Sequence, residues 1–267
     1  MARSGTDGRG WSWPGKVVIV TGASSGIGAA LAEDLGTRGA TVVGVARRRE
    51  QLEAVMARAG GGRAAVADLA EKGASEAVVA TTEAEHGRVD VLVNNAAIPM
   101  RVHATRLTTE QVRRAMDVNF LTAVRTTLAA LPGMLGRHSG HVVNVSSVGG
   151  RVVSPREAAY VASKFAMVGW TDAMAADLTG TGVRMHLMYP GPIATEIWDK
   201  LDEPASFSGR FYPPQRVSAA IVRMVERDRF EGWVPRRMSA LVFVRAALPR
   251  LFVESAGRFD RRAESRR

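Results

Sequence analysis

The segment Val17-Val18-Ile19-Val20-Thr21-Gly22-Ala23-Ser24-Ser25-Gly26-Ile27-Gly28 decides how this chain is read. Residues 17–20 are an unbroken β-branched run, the pattern of a strand buried on both faces of a parallel sheet. They pass directly into a turn holding Gly22, Gly26 and Gly28, and then into a helical stretch at 29–39. Such a turn has a physical use. The first glycine permits the sharp bend; the others let the backbone approach a pyrophosphate and let the helix lie close to the sheet. The helix N-terminus then turns free N–H groups and its dipole toward the phosphates. The spacing G-x-x-x-G-x-G differs from the common dinucleotide fingerprint, so the turn alone is a weak signal.

The same alternation continues outward. Strands are predicted at 41–46, 63–69, 89–94, 141–147, 183–190 and 232–234. Helices are predicted at 47–59, 71–86, 108–137 (ending near Pro132), 157–179 and 215–228. Strands alternating with helices of this length mean a single-domain, Rossmann-like, doubly wound parallel α/β sheet of about seven strands, with helices on both faces. No repeat or composition break marks a second domain. The predicted organisation is a flexible lead at 1–14, the dinucleotide-binding and catalytic domain at 15–235, and a basic amphipathic tail at 236–267.

The 267 residues contain 46% hydrophobic and 23% charged residues, the balance of a globular domain large enough for its own core. With no cysteine, disulfides, cysteine-ligated metal and a thiol nucleophile are excluded. No metal site is predicted. The polar start has no apolar core of a signal peptide, and no unbroken apolar run reaches 18 residues, so a cytoplasmic location is expected.

Further motifs follow in order. Asn94-Asn95-Ala96-Ala97 ends the fourth strand, Asn119 lies in the next helix, and Ser147 ends the fifth strand. Tyr160-x-x-x-Lys164 follows thirteen residues later, and Pro190-Gly191 ends the sixth strand. Together with T-G-x-x-x-G-I-G, this set resembles the short-chain dehydrogenase/reductase family over about residues 16–235. Ala97 replaces the glycine usual in the family's N-N-A-G.

The resemblance implies an oxidoreductase that interconverts a carbonyl and a secondary alcohol. Tyr160 and Lys164, four apart, share a helix face. A lysine ammonium and a positive nicotinamide ring would lower the phenol's pKa, so that Tyr160 exchanges a proton with the substrate oxygen. Lys164 would also hold the nicotinamide ribose. Ser147 would orient the substrate oxygen, with Ser146 the rival, and Asn119 would complete the proton relay. The implied cofactor contacts are Gly22, Ser24, Ser25, Gly26, Ile27 and Gly28 of the turn; Asp68 and Leu69 after the third strand; Asn94 and Ala96 after the fourth; and Pro190, Gly191, Ile193 and Thr195 after the sixth.

Cofactor choice is read at the end of the second strand. NAD enzymes place a carboxylate there for the ribose 2′-OH. Here stand Val45-Ala46-Arg47-Arg48. A guanidinium grips a 2′-phosphate through parallel hydrogen bonds, so NADP(H) is expected, with Arg47 foremost and Arg48 assisting.

Substrate selection is assigned to 148–156, the surroundings of Ile98, and the loop 196–213. Ile197, Trp198, Leu201, Phe207, Phe211 and Tyr212 suggest an apolar lining without an arginine clamp, and so a lipophilic ketone, alcohol or acyl thioester. A 3-oxoacyl thioester reductase is the alternative, and a non-catalytic dinucleotide-binding regulator a third reading. The net charge is +10, and residues 235–267 contribute +6 of it, nine Arg against Glu254, Asp260 and Glu264. The basic surface suggests acidic partners, but no nucleic-acid motif accompanies it. The tail is read either as a peripheral membrane contact or as packing on the protein, with 260–267 a solvated, frayed end. A homodimer or homotetramer is the expected assembly.

Overall fold

A computed structural model describes residues 11–201, 203 and 209–264. Seven parallel strands form one sheet: β1 (Val17–Thr21), β2 (Thr41–Ala46), β3 (Arg63–Val66), β4 (Val91–Asn94), β5 (Gly140–Val145), β6 (Val183–Pro190) and β7 (Glu231–Val234). Their order is β3-β2-β1-β4-β5-β6-β7. The connecting helices are α1 (Gly26–Thr37), α2 (Arg49–Arg58), α3 (Ala74–His86), α4 (Thr109–Met116), α5 (Thr122–Gly136), α6 (Ala158–Asp177) and α7 (Pro214–Glu226). Two more, α8 (Ala240–Ala247) and α9 (Pro249–Glu264), follow the sheet.

Strand side chains alternate between faces, so apolar runs feed two cores at once. Val18, Val20, Val91, Val93, Val143 and Val145 pack with Leu31 and Leu35 of α1 and Val217 and Ile221 of α7. Ile19, Leu92 and Val142 face the other way, against Val78 and Val79 of α3 and Ala130 and Met134 of α5. The strand order reverses between β1 and β4, which opens a crevice at their carboxyl ends.

Three sequence expectations are corrected. The helical pattern at 108–137 does not end near Pro132. It is divided by a π-helical turn, Asp117–Leu121, and α5 continues through Pro132 to Gly136. The carbonyl that Pro132 leaves without a donor belongs to Leu128, which is 52% exposed, so the interruption lies on the wet side. This stretch, 109–136, is long and apolar enough to cross a membrane, but its inner face is packed against α3 and α6.

Within the flexible lead expected at 1–14, Trp11 and Trp13 are anchored. Trp13 is buried in the first core and donates its indole N–H to Glu226, and the Trp11 ring meets His141 edge-on. The tail's end is likewise not all solvated, because Asp260 is buried. Residues 1–10, Phe207 and 265–267 lie outside the described residues.

Candidate active site

One large cleft, about 990 Å³, runs along the carboxyl ends of the strands. Its floor begins at the glycine turn. Gly22 has φ +69°, a left-handed conformation that a side chain would strain, and its N–H donates to Val45 at 2.8 Å. Gly28 is needed for a different reason, since a Cβ there would run into the Gly22 carbonyl. The Thr21 hydroxyl accepts from the N–H groups of Asn95 and Ala96 at 2.9 and 3.0 Å and donates to the Val93 carbonyl, which ties the ends of β1 and β4 together. The result is a backbone cradle that side chains would fill, which suits a dinucleotide pyrophosphate.

Arg47 and Arg48 stand beside this cradle. Arg48 donates to Ser24 and Ser25, the latter at 2.7 Å, and pairs with Glu196 at 2.9 Å. Arg47 is more exposed and meets Asp68 at 3.3 Å. Asp68 also accepts the Ala70 N–H.

Farther along, the Ser147 hydroxyl and the Tyr160 phenol line the cleft side by side. Ser147 Oγ also accepts from the Gly149 N–H at 3.0 Å. Ser146 lines the cleft too, but its hydroxyl donates to the Lys164 carbonyl at 3.2 Å. Lys164 is buried, with Nζ donating to the Val145 carbonyl at 2.9 Å and 5.8 Å from the centre of the Tyr160 ring.

Burial sets the proton affinities here. It pushes the Tyr160 phenol up to about 12, helped by the nearby Glu157 carboxylate and opposed by the Ser147 hydroxyl. It pulls the Lys164 ammonium down to about 8. These are the values of the cofactor-free site; the lowered phenol expected from the sequence requires the positive nicotinamide ring beside Tyr160 as well as the lysine.

The cleft gathers the turn residues Gly22, Ser24, Ser25, Gly26 and Ile27 with Arg47, Arg48, Asp68, Leu69 and Ala96. Ser147, Tyr160, Lys164, Pro190, Gly191, Ile193 and Thr195 line it as well. Gly28, Asn94 and Asn119 lie behind the wall. The Asn94 amide is spent on Asn144 and Thr127, at 2.8 and 3.0 Å, and it is Asn95 that lines the cleft. Asn119 is fully buried in the π-helical turn. It accepts the Ile98 N–H at 2.8 Å and donates to the Ile98 carbonyl and Ser163 Oγ.

The sequence model of the family described as short chain dehydrogenase matches residues 16–206. The chain belongs to the short-chain dehydrogenase family. An uncharacterised oxidoreductase of Mycobacterium tuberculosis strain H37Rv is 40% identical over 191 residues, covering 68% of this chain and 56% of the relative. The chain thus matches little more than half the length of that relative. A 3-oxoacyl-[acyl-carrier-protein] reductase of Vibrio harveyi is 32% identical, covering 78% of this chain and 88% of the reductase. A crystal structure of a short-chain dehydrogenase from Streptomyces avermitilis superposes with a TM-score of 0.81 at 28% identity, over 92% of this chain and 98% of that one.

Against this family frame, the outer cleft holds residues that sequence reasoning missed. Arg101, Glu157, Met238, Leu241, Phe252, Phe259 and Asp260 all line it. Arg101 is 3% exposed. It donates to the Pro155 carbonyl at 3.0 Å and to Asp260 at 2.9 Å. Asp260 also binds Arg156 at 2.7 Å, and Arg156 reaches Glu203 at 2.8 Å. The tail is thereby fastened over the cleft. Its spacing was a usable signal: Phe252, Ala256 and Asp260 fall four apart on one helix face.

Proposed function

We propose that the protein is an NADP(H)-dependent oxidoreductase that interconverts a carbonyl and a secondary alcohol on a lipophilic substrate. The observation that carries this reading is the gathering of Ser147, Tyr160 and buried Lys164 at the end of a cleft that starts at a pyrophosphate cradle.

The turn from Gly22 to Gly28 would hold the pyrophosphate, and Arg47 with Arg48 the 2′-phosphate. Asp68, Leu69 and Ala96 would lie along the adenosine side, and Pro190, Gly191, Ile193 and Thr195 along the nicotinamide side. The cofactor supplies or accepts the hydride, and the protein supplies orientation and the proton. Ser147 holds the substrate oxygen. Tyr160, a protonated phenol in the free enzyme, is set to donate to a carbonyl oxygen in the reducing direction. Lys164 fixes the ribose and adds positive charge. Asn119 serves the relay by position, pinning Ile98 and the residue preceding Lys164.

The outer wall supports the lipophilic substrate. Ile98, Met100, Val152, Trp198, Leu201 and Phe252 surround it, and Arg101 is already engaged by backbone and carboxylate rather than presented as an acid clamp. A 3-oxoacyl thioester is the second reading, favoured by the Vibrio relative and by the basic surface, which suits an acidic carrier. Use of NADP(H) fits a cytoplasmic enzyme.

A panel of ketones, secondary alcohols and 3-oxoacyl thioesters, followed by NADPH absorbance, tests the proposal. Turnover of apolar ketones with NADPH supports it. Turnover confined to thioesters selects the second reading, and no turnover with NADPH bound selects the regulator.

A further inference from the structure

Two different surfaces meet on the tail helices. Inward, Leu241, Phe252, Ala256 and Phe259 line the cleft, and Asp260 is drawn in by Arg101 and Arg156. Elsewhere on these helices apolar side chains are left uncovered: Phe243 opposite Leu241 on α8, and Leu251 and Val253 on either flank of the cleft-lining stripe of α9. Six of the nine large exposed hydrophobic residues in the described part of the chain fall between 243 and 259. They are Phe243 at 76%, Val244, Leu248, Leu251, Val253 and Phe259. A concentration of this kind needs an explanation, whereas single exposed apolar residues do not.

The charges around these residues are mainly positive. Arg236, Arg237, Arg250, Arg258 and Arg261 are exposed. Asp260 faces the protein, whereas Glu254 is exposed, and Arg250 and Arg258 both pair with it. Arg245 is drawn over the Phe165 ring and ties α8 to the body. Exposed apolar side chains interspersed with arginines suit the boundary between lipid headgroups and acyl chains, where the apolar side chains bury shallowly and the guanidiniums meet anionic headgroups. Neither α8, with 8 residues, nor α9, with 16, approaches the roughly 20 apolar residues a spanning helix needs.

Phe259 connects the two surfaces. It lines the cleft and is still 56% exposed, so it stands at the rim. We propose that the exposed apolar residues of α8 and α9 dock on an anionic lipid surface and turn the rim of the cleft toward it. The ligand class is an acidic phospholipid bilayer. The consequence for access, that apolar substrate reaches the cleft from the lipid, rests on the lipophilic reading above; the docking itself does not.

The test uses the full chain with sedimenting vesicles of neutral phosphatidylcholine, or of phosphatidylcholine with phosphatidylglycerol. Binding is expected to the acidic vesicles and to fall about tenfold as salt rises from roughly 0.05 to 0.5 M, because the attraction is screened within a Debye length. Phe243→Ser with Leu251→Ser, both at exposed positions, should abolish binding while circular dichroism and NADPH affinity are unchanged. The proposal is overturned by failure to bind acidic vesicles at low salt, or by equal binding of the double variant. It is also overturned if that variant dissociates a homo-oligomer without altering lipid binding, since a second copy would then cover these residues. These readouts need no turnover, so an enzyme inactive on every ketone would refute the substrate reading and leave docking standing.

Discussion

Arg101 and Asp260 lie 159 residues apart in the chain and 2.9 Å apart in space. Their side chains are 3% and 8% exposed, so the pair is shielded from solvent. Removing one member of such a pair leaves a buried charge uncompensated, which costs about 3–5 kcal/mol where no other partner takes over. Glu157 remains beside Arg101, at 3.4 Å, and softens that cost. Asp260→Ala should therefore lower global stability modestly, by about 1–3 kcal/mol, and loosen α9 far more. Hydrogen exchange should speed up across 249–264 and stay unchanged in β1 and β4. Uniform protection along the chain would show that the contact does not fasten the tail.

Tyr160→Phe keeps the ring and removes the hydroxyl beside Ser147. Loss of acid–base help should reduce kcat by roughly 10²–10⁴-fold. NADPH binding, read by fluorescence titration, should stay within about twofold, a change worth well under 1 kcal/mol. Ser147→Ala should also reduce kcat. Ser146→Ala should chiefly affect stability, because its hydroxyl serves the Lys164 carbonyl. Near-normal turnover of the Phe variant would move the proton donor elsewhere.

Arg47→Asp should turn preference toward NAD(H) by raising the KM for NADPH. Each charge-assisted hydrogen bond lost costs on the order of 1.5–3 kcal/mol. Arg48→Ala should raise the same KM and also loosen the turn, since Arg48 bridges Ser24, Ser25 and Glu196. Wild-type enzyme that uses NADH as well as NADPH would defeat the assignment.

Lys164 gives a pH signature in the cofactor-free protein. Its folded pKa, about 8, lies below the ordinary 10.5. Between those values the unfolded chain holds more protons than the folded one, so stability attributable to this group rises with pH across that window. Tyr160 acts oppositely: its folded value of about 12 lies above the ordinary 10, so its contribution falls as pH rises between them. Lys164→Met removes the first titration and keeps the second. The wild-type minus variant difference in unfolding free energy should rise by on the order of 3 kcal/mol from about pH 8 to 10.5. A flat difference in urea titrations would reject the buried-ammonium account.

The fold and the inner site were legible in the sequence because they are built from local patterns. A β-branched run entering a glycine turn specifies its strand, bend and helix within twelve residues. Tyr160 and Lys164 share a face through helix periodicity alone, and Arg47 follows β2 directly. The choice between Ser146 and Ser147 was harder. The thirteen-residue separation from Tyr160 favoured Ser147, and the fold adds that the Ser146 hydroxyl is engaged by the Lys164 carbonyl.

What tertiary structure decided was everything that depends on distant segments meeting in a dry place. Asn94 and Asn95 are adjacent in sequence, yet one is spent on Asn144 and the other lines the cleft. Tyr160 and Lys164 share a face by spacing alone, but the desolvation that raises the phenol in the cofactor-free protein comes from segments the spacing does not reveal. The tail's arginines and apolar residues are visible in the sequence, but Asp260 turns inward only because Arg101 and Arg156 await it on other loops. Local pattern fixes which atoms a segment can offer. Desolvation and ion pairing depend on what surrounds those atoms, and only the folded chain supplies the surroundings.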